Sequence, residues 1–135
     1  MTDCVFCKII SGEWSCYKIY ESDITLAFLD INPFSDGHTV VVPKVHVQDL
    51  TEFTEDLSSK FMFDLVKVTQ LIKTKMKPDG INIVQNNGKA AGQVVMHAHF
   101  HVIPRFEDDG LLKLVNKKVK PTEEELKKVH AIITQ

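Results

Sequence analysis

Gly92-Gln93-Val94-Val95-Met96-His97-Ala98-His99-Phe100-His101-Val102-Ile103-Pro104-Arg105 carries histidine at every second position from His97 to His101. Ala98, Phe100 and Val102, which separate or follow them, are apolar. Strict alternation predicts a half-buried strand. Side chains two apart share one face of a strand and stand about 7 Å from each other at a rise of ~3.3 Å per residue. This places three imidazoles on one face and Ala98, Phe100 and Val102 in the core. Packing alone would be served by valine or isoleucine, which have no ring nitrogens to satisfy. The histidine face therefore reads as chemistry.

Two chemistries fit such a face. Neutral imidazoles bind Zn²⁺ at about 2.0 Å, and His-x-His on a strand is a common metal pair. A glutamate a few residues on, which a cupin-type site needs, is missing, since Glu107 lies beyond Pro104. The other chemistry is nucleophilic: a neutral imidazole attacks an activated phosphorus and forms a covalent histidyl intermediate. Its ring must be held in one tautomer so that the bare nitrogen faces the phosphate. The loop before the strand, with Gly88, Ala90, Ala91 and Gly92, allows close backbone approach, and its amides could point at an anion. That favours a phosphate site. Arg105, the one arginine in the chain, reads equally as a phosphate contact or a solvated charge.

Outward from this strand, the 135 residues are expected to form one domain, 1–135, with a core over 4–105 and a C-terminal loop and helix over 106–135. A formal charge of −2 argues against a general nucleic-acid backbone binder, which would be basic. No apolar run approaches the ~20 residues that span a bilayer, and no secretory signal is visible. Three cysteines, an odd count, suit intracellular thiols or metal ligands better than a disulfide framework. Cys4 and Cys7 have metal-pair spacing, although two small buried thiols would look the same. Cys16 reads as a packed free thiol.

Strands are expected at Tyr17 to Tyr20, Ile24 to Asp30, His38 to Pro43 and Gly80 to Gln85, each rich in β-branched or aromatic residues. Leu57, Phe61, Leu65, Val68 and Ile72 recur at helical spacing after the cap Thr54, so a long amphipathic helix packs on the sheet. Met62 and Phe63 read as core or edge packing. Thr122 and Glu125 have capping-box spacing for a last helix, and Lys113, Lys117, Lys118 and Lys120 read as a solvated face. The order is a short helix, three strands, a long helix, two strands and a short helix. The fold class is α+β, with one antiparallel five-stranded sheet.

Several blocks together resemble the histidine triad superfamily, close to its nucleoside phosphoramidase branch. They are Cys4 through Glu13, Ala27 through Pro33, Gly37 through Lys44, and Asn86 through Arg105. The tail carries no such signature. The resemblance implies that His99 is the nucleophile, that His101 assists at the phosphate and that His38 supports the triad by hydrogen bonding. It implies that Asp30 accepts from the ribose hydroxyls. Asn86, Gly92, Gln93 and Val94 would hold the phosphate and leaving group, and Phe6, Phe28 and Ile31 would wall the base pocket, though each of the three could equally be core. Cys4, Cys7, His46 and His97 correspond to the ligands of zinc-containing members, so a structural zinc is expected.

Two departures stand out. Val94 replaces a serine common in the branch and has no hydroxyl to offer a leaving group. Trp14-Ser15 replaces Ile-Pro. The expected activity is hydrolysis of nucleoside 5′-monophosphate derivatives at the α-phosphorus, through a nucleotidyl-histidine, by a cytoplasmic homodimer that favours a purine nucleotide. The alternatives are a dinucleoside polyphosphate hydrolase or adenylyl transferase using the same histidine, and a zinc-stabilised nucleotide-binding module with little turnover.

Overall fold

Apolar side chains in this chain alternate along the strands, and the sheet they build is coated on both faces. The computed structural model describes residues 3–111 and 119–135. Lys113, Lys117 and Lys118 lie outside the described residues. The strands are β1 (Lys18–Glu21), β2 (Thr25–Leu29), β3 (Thr39–Pro43), β4 (Gly80–Gln85) and β5 (Phe100–Arg105), and the helices are α1 (Val5–Ile10), α2 (Glu55–Met76) and α3 (Glu123–Thr134). All strand pairs are antiparallel, in the order β1-β2-β3-β5-β4. The α+β class and the five-stranded antiparallel sheet are as the sequence predicts.

The period-two pattern sorts residues to the two faces. Ala27, Val41, Phe100 and Val102 pack on the stripe Phe61, Leu65, Val68 and Ile72 of α2. Leu26, Phe28, Val40 and Val42 turn the other way and pack with Phe6 of α1. β3 is buried at every position, as its unbroken apolar run implies. β5 lies between β3 and β4, and its register sets His101 between Val40 and Val84. A histidine therefore stands in the middle of the sheet, on the face that carries α1.

The long helix starts where the sequence says. The Thr54 side chain accepts from Leu57 N–H at 3.1 Å, and Glu55 and Asp56 sit in the first turn. It ends at Met76, with Lys77 in the left-handed region (φ 51°) and Pro78 next. Helical spacing did not flag Asp64, which is 5% exposed on the packed face. Its carboxylate accepts from Tyr20 Oη (2.6 Å) and Ser22 Oγ (2.7 Å), and so ties α2 to the β1–β2 hairpin. Burial opposes the charge, but these two hydroxyls hold the Asp64 carboxyl below its ordinary value, and the same bond pushes Tyr20 up to about 12. Met62 and Phe63, expected in the core or at an edge, are instead 52% and 61% exposed. They fall outside the arc set by Phe61, Leu65, Val68 and Ile72.

The expected histidine strand is shorter than its sequence pattern. Regular pairing begins at Phe100. Upstream, Ala98 N–H bonds Val47 O at 2.8 Å, outside the ladder. His99 turns its ring back on the His97 carbonyl, so that carbonyl does not serve a neighbouring strand.

The turn into β3 depends on Gly37, whose φ is +92°. A Cβ there would lie 2.8 Å from Met76 Cγ and 3.2 Å from Pro104 Cγ. Gly37→Ala combines left-handed strain with that clash and is expected to lower stability by about 1–3 kcal/mol in urea denaturation. Gly80→Ala, where nothing lies within 4 Å of the added carbon, should shift the midpoint little. Equal effects at the two sites would contradict the close approach.

Candidate active site

A cavity of about 650 Å³ opens on the α1 face of the sheet. Phe6 and Ile9 of α1 wall one side and Phe28 of β2 forms part of the floor, while Asp30, His38, His99 and His101 supply its polar lining. Asn86, Gly92 and Val94 reach it from the loop after β4, and Ile31 stands at its rim, 78% exposed. The fold thus brings together most of the residues marked in the sequence. It also brings Trp14, Cys16 and Phe34, which sequence reasoning left out of the site.

His97 does not join His99 and His101 in the cavity. Its ring is fully buried on the other side of the nucleophile candidate, towards Cys4 and Cys7. His97 keeps to the α1 face that His99 and His101 share, as the alternation predicts, since the Phe6 ring meets both His97 and His99, but its ring lies outside the cavity lining.

The hydrogen bonds assign the tautomers. Phe34 N–H donates to His38 Nδ1 at 3.1 Å, and a backbone amide can only donate. The His38 proton is therefore on Nε2, which faces His101 Nδ1 at 2.9 Å. That nitrogen accepts, so His101 carries its proton on Nε2. His99 Nδ1 lies 2.7 Å from the His97 carbonyl, which can only accept. His99 Nδ1 is thus the protonated nitrogen, and its Nε2 is left with a bare lone pair. Phe34 also stacks on His38 (centroids 5.3 Å, 12°), and Phe6 meets His99 edge-on at 4.9 Å. Nothing in the turn Asn32 to Gly37 marked Phe34 beforehand, since its contribution is a backbone amide and a ring face.

Burial disfavours the charged form of each of these rings. It lowers His38 and His99 below the ordinary imidazole value, although Asp30 opposes it at both and the His97 carbonyl opposes it at His99. His101 falls to about 4, through burial first and then through its neighbours His99 and His38. Asp30 Oδ2 stands 3.6 Å from His38 Nε2, and its Oδ1 accepts from Asn32 N–H at 2.8 Å. The Asp30 residue lines the cavity.

The loop from Asn86 to Val94 departs from the expected anion cradle. The amides of Ala91, Gly92 and Gln93 turn back on the carbonyls of Gly88 and Lys89 at 3.0–3.1 Å. Gln93 is 2% exposed; its Oε1 accepts from Gly88 N–H, and its Nε2 donates to the Gln48 and Val95 carbonyls. Gln93 therefore braces the loop and presents no polar group to the cavity, which corrects its expected contact with phosphate. Gly92 has φ +93°, and a Cβ there would sit 3.5 Å from Asn86 Nδ2. Among the described residues, the Asn86 carboxamide nitrogen and the Val94 amide have no hydrogen-bond partner in the protein, and both border the cavity. Arg105 does not serve as a phosphate contact. Its guanidinium binds Asp109 twice (2.8 and 2.9 Å), Asn82 Oδ1 (2.7 Å) and the Leu111 carbonyl (3.2 Å), at the opposite end of β5.

A second cluster lies behind the first. Cys4, Cys7, His46 and His97 place one donor atom each within 4.8 Å of all the others. His97 Nδ1 lies 3.4 Å from Cys4 Sγ and 3.6 Å from Cys7 Sγ, and His46 Nδ1 lies 3.3 Å from Cys7 Sγ. A tetrahedral zinc with Zn–S near 2.3 Å and Zn–N near 2.0–2.1 Å requires S···N edges of roughly 3.6 Å. His97 Nε2–H donates to the Pro43 carbonyl at 2.8 Å, so its Nδ1 is the nitrogen without a proton. The donor set and its spacing fit a closed metal site.

Known proteins resemble this chain in sequence and in fold. The HIT domain matches residues 11–108. An adenosine 5′-monophosphoramidase of Schizosaccharomyces pombe is 42% identical over 102 residues, covering 76% of this chain and 74% of the relative. The crystal structure of a HIT family member from Bacillus subtilis superposes with a TM-score of 0.90 at 38% identity, covering 97% of this chain and 94% of the other. A zinc-bound histidine triad family protein from Mycobacterium smegmatis superposes with a TM-score of 0.74 at 36% identity, covering 97% and 98%. The chain belongs to the HIT, or histidine triad, family.

Proposed function

We propose that the chain hydrolyses nucleoside 5′-monophosphate derivatives at the α-phosphorus, with His99 as the nucleophile. The bare His99 Nε2 at the edge of the cavity carries this reading. Its lone pair attacks the phosphorus, and the bond from phosphorus to the leaving amine or oxygen breaks. The His101 Nε2–H borders the same cavity and donates a hydrogen bond to the leaving group, which takes its proton from solvent as it departs, while His101 stays neutral. Water then attacks the same phosphorus, the P–N bond to His99 breaks, and the 5′-monophosphate is released. The Asn86 carboxamide and the Val94 amide supply donors to the phosphoryl oxygens. Asp30 receives the ribose hydroxyls, and Phe6, Phe28 and Ile31 wall a purine base. The related S. pombe adenosine 5′-monophosphoramidase supports this substrate class.

We infer further that 1–135 is one such domain, with its core over 4–105 and a tail over 106–135, and that Cys4, Cys7, His46 and His97 hold a structural zinc ion. The ion's part is to pin the N-terminal segment to the catalytic strand. Unpaired thiols suit the reducing cytoplasm. No helix among the described residues is long and apolar enough to cross a membrane. We also infer a homodimer: Met62, Phe63 and Val66 on α2, and Ile83 on the edge strand β4, are exposed apolar side chains that a second copy would cover.

Adenosine 5′-phosphoramidate is expected to be turned over, and faster than diadenosine polyphosphates. His99→Ala should lower kcat by about 10⁴-fold or more while adenosine monophosphate still binds. Turnover that survives the substitution would reject the nucleophile, faster cleavage of diadenosine polyphosphates would favour that alternative, and binding without turnover in the native chain would favour the binding module.

Neutral histidines also make the fold sensitive to acid. An unfolded imidazole protonates near pH 6.5, whereas folded His101 does so only at about 4. Between these values the unfolded chain binds more protons, so the contribution of His101 is present above pH 6.5 and lost as the pH falls towards about 4. Urea midpoints at about pH 7, 5.5 and 4.5 should decline in that order, and His101→Gln should flatten the decline. Parallel declines would contradict the assignment. For the homodimer, Phe63→Glu should halve the mass seen by light scattering, and a native chain of monomer mass would refute it.

A further inference from the structure

We propose that the Cys4–Cys7–His46–His97 cluster positions the nucleophile, with metal loading fixing the His99 ring through the His97 carbonyl and the Phe6 ring. This rests on the zinc reading above and goes beyond a stapling role for the ion.

The polar groups of His97 make three separate commitments. Its Nδ1 faces the two cysteine sulfurs at 3.4 and 3.6 Å. Its Nε2–H holds the Pro43 carbonyl at the end of β3 at 2.8 Å. Its own carbonyl receives the His99 Nδ1–H at 2.7 Å. One residue, Ala98, separates the two histidines; it is 0% exposed and its amide is bound to Val47 O. A change in the His97 peptide therefore has little slack to absorb it before it reaches His99.

A second connection runs through α1. Phe6 lies between Cys4 and Cys7 in sequence, and its ring packs edge-on against His99 at 4.9 Å and His97 at 5.8 Å. The helix is six residues long and carries Cys4 as its cap. A helix this short does not hold itself in water. Its placement depends on the burial of Phe6, Ile9 and Ile10 and on whatever joins its cysteines to His46 and His97. Both connections end on one ring.

The consequence is chemical. If the His97 carbonyl turns away, His99 loses the acceptor that fixes its proton on Nδ1. The competing tautomer presents an N–H, not a lone pair, to phosphorus. Asp30 stands on the turn after β2, away from these connections, while Phe28 touches them only where its ring meets Phe6 at 5.8 Å, so the loss falls on kcat through the His99 tautomer and to a smaller extent on KM through the base wall. Supporting groups of this kind typically contribute on the order of 10–100-fold in activity. His97 and Phe6 are thus positioning residues.

The test uses the full chain loaded with Zn²⁺, stripped by a chelator, and reloaded. Three quantities are measured: zinc per chain, the ¹⁵N–¹H signals of the His99 imidazole without substrate, and kcat and KM for adenosine 5′-phosphoramidate. Stripping is expected to abolish the slowly exchanging His99 Nδ1–H signal and to lower kcat by about 10–100-fold, with KM changed by less than about threefold, and reloading should restore both. One zinc per chain with the same His99 spectrum and kcat in both states would overturn the positioning role and leave the structural zinc standing. No zinc binding at all would overturn both, whatever the turnover. If the stripped chain loses its far-ultraviolet circular dichroism, His46→Ala serves instead, since it removes one half-buried ligand and leaves residues 97 to 99 unchanged. Its kcat and His99 signal should rise together with added Zn²⁺, and values independent of Zn²⁺ would reject the proposal.

Discussion

A hydrogen bond of 2.7 Å from His99 Nδ1 to the His97 carbonyl decides which ring nitrogen is left without a proton. A neutral imidazole has one donor and one acceptor, and it is nucleophilic only at the acceptor. Here the backbone makes that choice, within a stretch of three residues. The relay from Phe34 N–H through His38 to His101 does the same for the neighbouring ring, with the opposite result. Two histidines on one cavity wall are thereby held in complementary tautomers: one offers a lone pair and the other an N–H. In the proposed reaction these are the attacking group and the hydrogen-bond donor to the leaving group.

The rest of the structure makes that arrangement durable. The sheet places His101 between two valines, and burial removes water that would otherwise stabilise its charged form. Gly37 lets the chain turn tightly against Met76 and Pro104 on its way into β3. Asp64, Tyr20 and Ser22 lock the long helix to the first hairpin on the far face. Gln93 uses its side chain to keep the loop closed, so that Asn86 and Val94 are the residues that look into the cavity.

Much of this was legible in the residues because it follows from period and punctuation. β4 runs from Gly80 to Gln85 as its β-branched residues imply, and Thr122 caps the last helix with Glu125 in a closed capping box. Asp30, His38, His99 and His101 meet in one cavity, as the resemblance suggests. What escaped is set by side-chain direction and by hydrogen-bond partners distant in sequence. Alternation puts His97 on the face of His99, as observed, but alternation alone does not place its ring against Cys4 and Cys7. Gln93 and Arg105 look available in sequence, but Gly88 and Gln48 engage the first, and Asp109 and Asn82 the second. Asp64 reads as an intrusion in an apolar stripe until the two hydroxyls from the hairpin are seen.

The central claim is that a covalent bond forms between phosphorus and His99 Nε2. Rapid quenching of a single turnover of adenosine 5′-phosphoramidate, followed by peptide mass spectrometry, tests it most directly. The account predicts a transient nucleotidyl mass on the peptide that contains His99, localised to that residue and decaying as the monophosphate appears. A nucleotidyl group on His101, or full product release with no adduct at any time, would contradict it.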